Sequence, residues 1–166
     1  DKMKKPDLFV LDLDGVMTDG KFYYTKLGKI AKKFGPDDGD ALNILKKYLK
    51  IIFVSADKKG FPVSKKRIQI DMHFKIYLVP AGLQREIWLK KKFKNRNIIY
   101  MGDGIFDSLI MKNFFYSISP RNSDEDTKKN AKYITKRDGG DRAVSEAVKH
   151  ILKKFYSINN IKEIIK

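Results

Sequence analysis

One stretch constrains this chain more than any other: Phe9-Val10-Leu11-Asp12-Leu13-Asp14-Gly15-Val16-Met17-Thr18-Asp19-Gly20. An apolar run from Leu8 to Leu11 stops at two carboxylates spaced i, i+2, and glycines and a threonine follow. The run is apolar on both faces and too short for a helix, so it reads as a buried strand of a parallel sheet. Ligands of open α/β sheets bind at the carboxyl ends of strands, where Asp12 and Asp14 would sit. Two carboxylates so close repel each other. A hard divalent cation with oxygen ligands, Mg²⁺ above all, would neutralise them.

The rest of the chain reads as strands alternating with helices. Lys21 to Phe34 has aromatic and β-branched residues around Lys26-Leu27-Gly28-Lys29, which predicts a hairpin turning there. Asp38 or Asp40 is positioned to cap a helix over about 41–49. Ile51-Ile52-Phe53-Val54-Ser55 predicts a second buried strand. A helix follows from Pro62 or Val63 to about Ile70, then a weaker strand within 74–79. The next helix is expected from Pro80 through Phe93, with Leu83, Ile87 and Leu89 apolar. Further strands are expected at 97–101, 114–118 and 132–135. Gly139-Gly140 precedes a last helix over about 143–155, and a short helix or frayed end follows from Tyr156. This order predicts a doubly wound, mainly parallel α/β sheet in a single domain over 1–166. Asp12/Asp14, Ser55 and Gly102-Asp103 would then converge on one sheet edge.

Composition narrows the classes. The chain has 166 residues and 42% hydrophobic content, enough for one proper core. It has no cysteine, which excludes disulfides and zinc–thiolate sites. No apolar run is long enough to span a bilayer and no signal-peptide pattern is present, so a cytoplasmic protein is expected. The net charge of +16 raises nucleic-acid binding as an alternative. The lysines, however, fall in short scattered clusters such as Lys32-Lys33 and Lys90-Lys91-Lys92, which read mainly as solvated faces. A positive field would equally attract anionic phosphate esters. His73 and His150 are too far apart to suggest a metal site or a triad.

Asp12-x-Asp14-Gly-Val-x-Thr-Asp-Gly, a strand-terminal Ser55, and Gly102-Asp103-Gly104-x-x-Asp107 resemble, in order and strand context, the haloacid dehalogenase superfamily of phosphohydrolases. Thr18-Asp19-Gly20-Lys21 running into a hairpin, Phe34, Asp38-Gly39 and Gly139-Gly140-x-x-Ala143-Val144 are similar to one branch. That branch contains 3-deoxy-manno-octulosonate 8-phosphate phosphatase and phosphatases of nine-carbon acidic sugars. The resemblance covers about 8–154.

The resemblance implies a fold of the haloacid dehalogenase type with a hairpin flap over about 21–34 and no large cap domain. It implies Asp12 as the nucleophile forming an aspartyl-phosphate, and Asp14 as the general acid and then base. Mg²⁺ would be held by Asp12, the main-chain carbonyl of Asp14, Asp103 and Asp107. Ser55, Ala56 and backbone N–H groups near Gly15 would line the phosphate site. The substrate would be a phosphorylated acidic sugar. The hairpins, with Phe22, Tyr23 and Tyr24, would pack into a tetramer in which a neighbouring copy covers the pocket.

The chain departs from the branch in two places. Ser55-Ala56-Asp57 stands where Thr-Gly-Arg is usual. No lysine lies in Pro80-Ala81-Gly82-Leu83-Gln84-Arg85-Glu86, where one usually balances the nucleophile. Arg85 is the best substitute and Lys75 another. The usual arginine after the double glycine is shifted, to Asp141-Arg142. These departures keep open a different class, a non-catalytic scaffold or ligand-binding relative.

Overall fold

The computed structural model describes residues 3–165, so the first two residues of the polar lead and the last of the tail lie outside the described residues. Six parallel strands form the main sheet: β1 (Leu8–Asp12), β4 (Lys50–Ser55), β5 (Lys75–Leu78), β6 (Ile98–Met101), β7 (Tyr116–Ser119) and β8 (Tyr133–Ile134). Their order is β5-β4-β1-β6-β7-β8, with β1 central. A separate antiparallel hairpin, β2 (Tyr23–Thr25) and β3 (Gly28–Ala31), leaves the main sheet after β1. The sequence thus encodes a doubly wound α/β sheet with a small hairpin flap.

Period-two alternation along β1 sorts its side chains between two cores. Phe9 and Leu11 join the core packed by α1 (Asp37–Leu45) and α5 (Ala143–Tyr156). Leu8 and Val10 join a second core with Val54, Tyr100 and Leu89 of α3 (Leu83–Lys92). Asp12 continues the Val10 phase, so it emerges on the α3 side. Its register partner on β4 is Val54, which leaves Ser55 one residue further toward the same edge.

The structure revises several expected boundaries. The first helix begins at Asp37, not Ala41, and ends at Leu45. Asp38 and Asp40 lie within its first turn instead of capping it, where acidic groups favour the helix dipole. The hairpin turn narrows to Lys26-Leu27, because β3 already begins at Gly28. The helix expected after Ser55 is α2 (Phe61–Lys65), which continues as a π-helical turn over Lys66–Asp71. Of the three apolar residues expected along α3, only Leu89 is buried; Leu83 and Ile87 are 57% and 61% exposed. A further helix, α4 (Glu125–Asn130), was not expected. It carries no apolar stripe, and its start is marked by the Asp124 side chain, which accepts hydrogen bonds from Asp126 N and Thr127 N. The tail forms a 3₁₀ turn over Ile161–Glu163. Among the described residues no helix is long and apolar enough to cross a membrane.

Candidate active site

The loop after β1 is folded back on itself. Val16 and Met17 N–H groups both donate to the Leu13 carbonyl. The buried Thr18 hydroxyl accepts from Gly15 N and Gly20 N at 3.2 and 3.1 Å. Gly15 has φ +82°, and a Cβ there would lie 1.7 Å from Asp103 Oδ2, so the Asp103 carboxylate rests directly on the Gly15 backbone. The double glycine serves the same loop. A Cβ on Gly139 would lie 1.8 Å from the Gly15 carbonyl oxygen, while Gly140 N donates to the Val16 carbonyl.

Asp12, Asp103 and Asp107 converge, each offering one carboxylate oxygen within 4.8 Å of the others. A 3₁₀ turn over Ile105–Leu109 brings Asp107 back beneath its own loop. Its Oδ2 accepts from Asp103 N and Gly104 N at 3.0 and 2.9 Å, and its Oδ1 from the Tyr100 hydroxyl at 2.5 Å. The neighbouring helix α4 braces this loop: Asp124 N donates to the Asp103 carbonyl, and the Thr127 hydroxyl to the Gly104 carbonyl.

Burial pushes the Asp12 carboxyl up to about 7, against the pull of Arg85. Burial, with the carboxylates of Asp12, Asp107 and Asp14 adding to it, pushes Asp103 to about 8. Ionised together, the three carboxylates would carry more negative charge than their protein surroundings neutralise. An all-oxygen donor set with excess negative charge fits a hard divalent cation such as Mg²⁺.

Arg85 supplies part of the missing positive charge. Helix α3 starts at the carboxyl edge, and its third residue carries the guanidinium into the sheet, where Arg85 is 1% exposed. Nη1 lies 3.2 Å from Asp12 Oδ1 and donates to the Tyr100 hydroxyl at 3.0 Å; Nη2 donates to the Val79 carbonyl at 3.4 Å. Burial opposes the charge, but Tyr100, Asp12 and Asp107 outweigh it and raise the Arg85 pKa. Burial, chiefly, and then Asp107 hold the Tyr100 phenol well above its ordinary value. Lys75, the other candidate, opens β5 at the opposite end of the strand, with its Nζ over the Tyr77 ring.

Asp14 pairs with a lysine outside the trio. Its Oδ1 lies 2.9 Å from Lys32 Nζ, and its Oδ2 accepts from the same ammonium at 3.1 Å. Lys32 belongs to one of the scattered lysine clusters, but its side chain is fully buried. It also pairs with Asp57 at 2.9 Å and donates to the Ser64 hydroxyl at 2.8 Å. Asp57, at the position where arginine is usual, binds Lys29 as well, at 2.6 Å. Burial would raise the Asp57 carboxyl, but Lys29, Lys32 and the Gly60 N–H together hold it down at about 2. The Ser55 hydroxyl is buried and accepts from Asp57 N at 3.2 Å, and the Ala56 side chain beside it is exposed. Nothing local distinguishes Lys32 from the chain's other lysines, and Tyr100 read only as strand core.

No family model matches this chain. Solved structures do. The phosphatase for 3-deoxy-D-manno-octulosonate 8-phosphate from Moraxella catarrhalis, solved with magnesium, phosphate and the sugar KDO, is 27% identical with a TM-score of 0.79. That match covers 96% of this chain and 91% of the other. The cobalt-bound enzyme of the same name from Haemophilus influenzae is 21% identical over the whole of both chains, with a TM-score of 0.81. The Yersinia pestis enzyme is 22% identical at a TM-score of 0.74, covering 89% of this chain and 80% of that one. Fold and carboxylate site together resemble those of phosphatases of the haloacid dehalogenase superfamily. Within that superfamily the chain resembles the 3-deoxy-D-manno-octulosonate 8-phosphate phosphatase branch.

Proposed function

We propose that this protein is a Mg²⁺-dependent phosphomonoesterase. Its substrate would be a phosphorylated acidic sugar, of the 3-deoxy-manno-octulosonate 8-phosphate or nonulosonate 9-phosphate kind. The observation that carries the reading is the Asp12–Asp103–Asp107 trio with Arg85 on Asp12. Asp12 attacks phosphorus, the ester P–O bond breaks, and the aspartyl-phosphate forms. Asp14 protonates the departing sugar oxygen and then takes a proton from the water that hydrolyses the intermediate. Mg²⁺ held by Asp12, Asp103, Asp107 and the Asp14 main-chain carbonyl would screen the repulsion between carboxylate and phosphate dianion. Ser55, Ala56 and the Gly15 backbone would border the phosphoryl oxygens, and Arg85 would balance charge in place of the usual lysine.

The exposed hairpin residues Tyr23, Tyr24, Leu27 and Ile30 support assembly through the flap, with a neighbouring copy closing the pocket. A tetramer acting in the cytoplasm is the form this reading expects. The test is phosphate release from a panel of eight- and nine-carbon ulosonic acid phosphates and an aryl phosphate, with and without Mg²⁺. Turnover that needs Mg²⁺ and is lost in Asp12→Asn supports the reading. A folded wild type that binds Mg²⁺ and releases no phosphate from any ester would favour the scaffold alternative.

A further inference from the structure

The most unusual group outside the trio is the buried ammonium of Lys32. It sits just past β3, at the root of the hairpin. It donates to Asp14 Oδ2 at 3.1 Å and to the Ser64 hydroxyl at 2.8 Å, and it pairs with Asp57 Oδ2 at 2.9 Å. A lysine ammonium has three donors and no acceptor, so this set fixes its position. The acceptors come from three separate segments: the loop after β1, the loop after β4, and α2. Gly60 makes room for the arrangement, since a Cβ there would meet Asp57 Oδ2 at 2.1 Å and Lys32 Cε at 2.9 Å. Lys29, stacked 3.4 Å over the Phe22 ring, holds the far side of the same Asp57 oxygen.

From this geometry we infer that Lys32 is a positioning residue for Asp14, anchored by Asp57 and Ser64. The inference rests on the phosphatase reading of Asp12 and Asp14 given above. A carboxylate on a loop beside three others would otherwise have several orientations open to it. Lys32 fixes one of them. It also places positive charge where negative charge develops: as the ester P–O bond breaks, the proton moves from Asp14 to the leaving oxygen, and the carboxylate left behind faces the ammonium. Asp57 thereby acquires a role. Where an arginine would bring charge of its own, this carboxylate secures a lysine delivered by the hairpin.

The consequence is selective. An alkoxide leaving group, such as a sugar oxygen, needs the proton from Asp14, whereas a nitrophenolate leaves without it. kcat/KM reports the steps through departure of the leaving group, so it isolates this transfer from the later hydrolysis. The experiment measures kcat/KM for an alkyl sugar phosphate and for p-nitrophenyl phosphate in wild type, Lys32→Met, Asp57→Asn and Lys29→Met, all with saturating Mg²⁺.

Lys32→Met should lose about a hundredfold on the alkyl ester and stay within about threefold on the aryl ester, in line with the usual worth of general acid catalysis. Asp57→Asn keeps the ammonium but removes one anchor. It should shift the same ratio by about tenfold, and it gives the answer if Lys32→Met does not fold. Lys29→Met removes the second cation from Asp57 but leaves the Lys32–Asp14 contact, so it should shift the ratio by less than Asp57→Asn does. Equal losses on both esters in Lys32→Met and Asp57→Asn, or no loss on either, would overturn the inference while leaving the phosphatase reading intact. A wild type that hydrolyses neither ester would remove the phosphatase reading, and this inference with it.

Discussion

Arg85 and Asp12 lie 3.2 Å apart, one at the start of α3 and the other at the end of β1. The guanidinium is held from behind by the Tyr100 hydroxyl and the Val79 carbonyl. It therefore meets the carboxylate as a fixed fork and not as a mobile charge. Arg85→Met would leave Asp12 and Asp107 without their buried partner. A loss of about 3–5 kcal/mol in urea unfolding is expected, together with loss of phosphatase turnover. Arg85→Lys should recover part of both, since it restores charge without the second hydrogen-bonding arm. A variant as stable as wild type would contradict the assigned electrostatics.

Divalent metal should stabilise the fold, and more so in mild alkali. Burial and mutual repulsion raise Asp12 to about 7 and Asp103 to about 8, so protons compete with the cation through that range. Raising the pH from 6 to 8 should strengthen Mg²⁺ binding. At a hundredfold excess over Kd the stabilisation is about 2.7 kcal/mol. Melting curves with Mg²⁺ and with EDTA at the two pH values measure it, and Asp103→Asn should abolish the difference.

Gly15→Ala tests the contact beneath the trio. The added methyl falls on Asp103 Oδ2, and φ +82° is strained for alanine by about 1–2 kcal/mol. The expected outcome is a folded protein whose melting temperature no longer responds to Mg²⁺. An unchanged response would mean that Asp103 does not depend on Gly15 for its position.

Asp38 offers a pH-dependent stability term away from the trio. It is 2% exposed, its Oδ1 accepts from Ser145 N, and burial raises its carboxyl to about 6 from 3.8. A raised folded-state pKa means that the native protein binds this proton more tightly than the unfolded chain. The stability it contributes is full below pH ~4 and is lost as pH rises through ~6. Asp38→Asn should therefore stabilise the protein by about 3 kcal/mol at pH 7, with the advantage vanishing near pH 4. Urea unfolding at the two pH values reads this directly.

The strand-end acids were legible because they interrupt apolar runs, and parallel topology sends every such interruption to one edge. Asp12, Ser55 and Asp103 follow from that rule, whereas Asp107, in the 3₁₀ turn after β6, is marked only by the resemblance. Lys32 does not, because its burial comes from Asp57 and Ser64, residues 25 and 32 positions away. No local pattern separates it from Lys33, whose side chain is 69% exposed. Helix α4 escaped for a related reason. Its sequence, Glu125-Asp126-Thr127-Lys128-Lys129-Asn130, has no apolar period, and it is held mainly by the Asp124 cap and the Thr127 contact to Gly104. Pro36-Asp37-Asp38-Gly39 reads as a turn, which hides the true helix start, although Asp37, Asp38 and Asp40 suit a first helical turn.

The central claim is that Asp12 becomes phosphorylated. Its most direct test uses Asp14→Asn with p-nitrophenyl phosphate and Mg²⁺. That leaving group needs no acid, so the first step proceeds, while the missing base slows hydrolysis of the intermediate. Acid quenching followed by peptide mass analysis should find a phosphoryl group on the peptide carrying Asp12, removable by hydroxylamine. Nitrophenol release over many turnovers, with Asp12 unmodified at every quench time, would contradict the account.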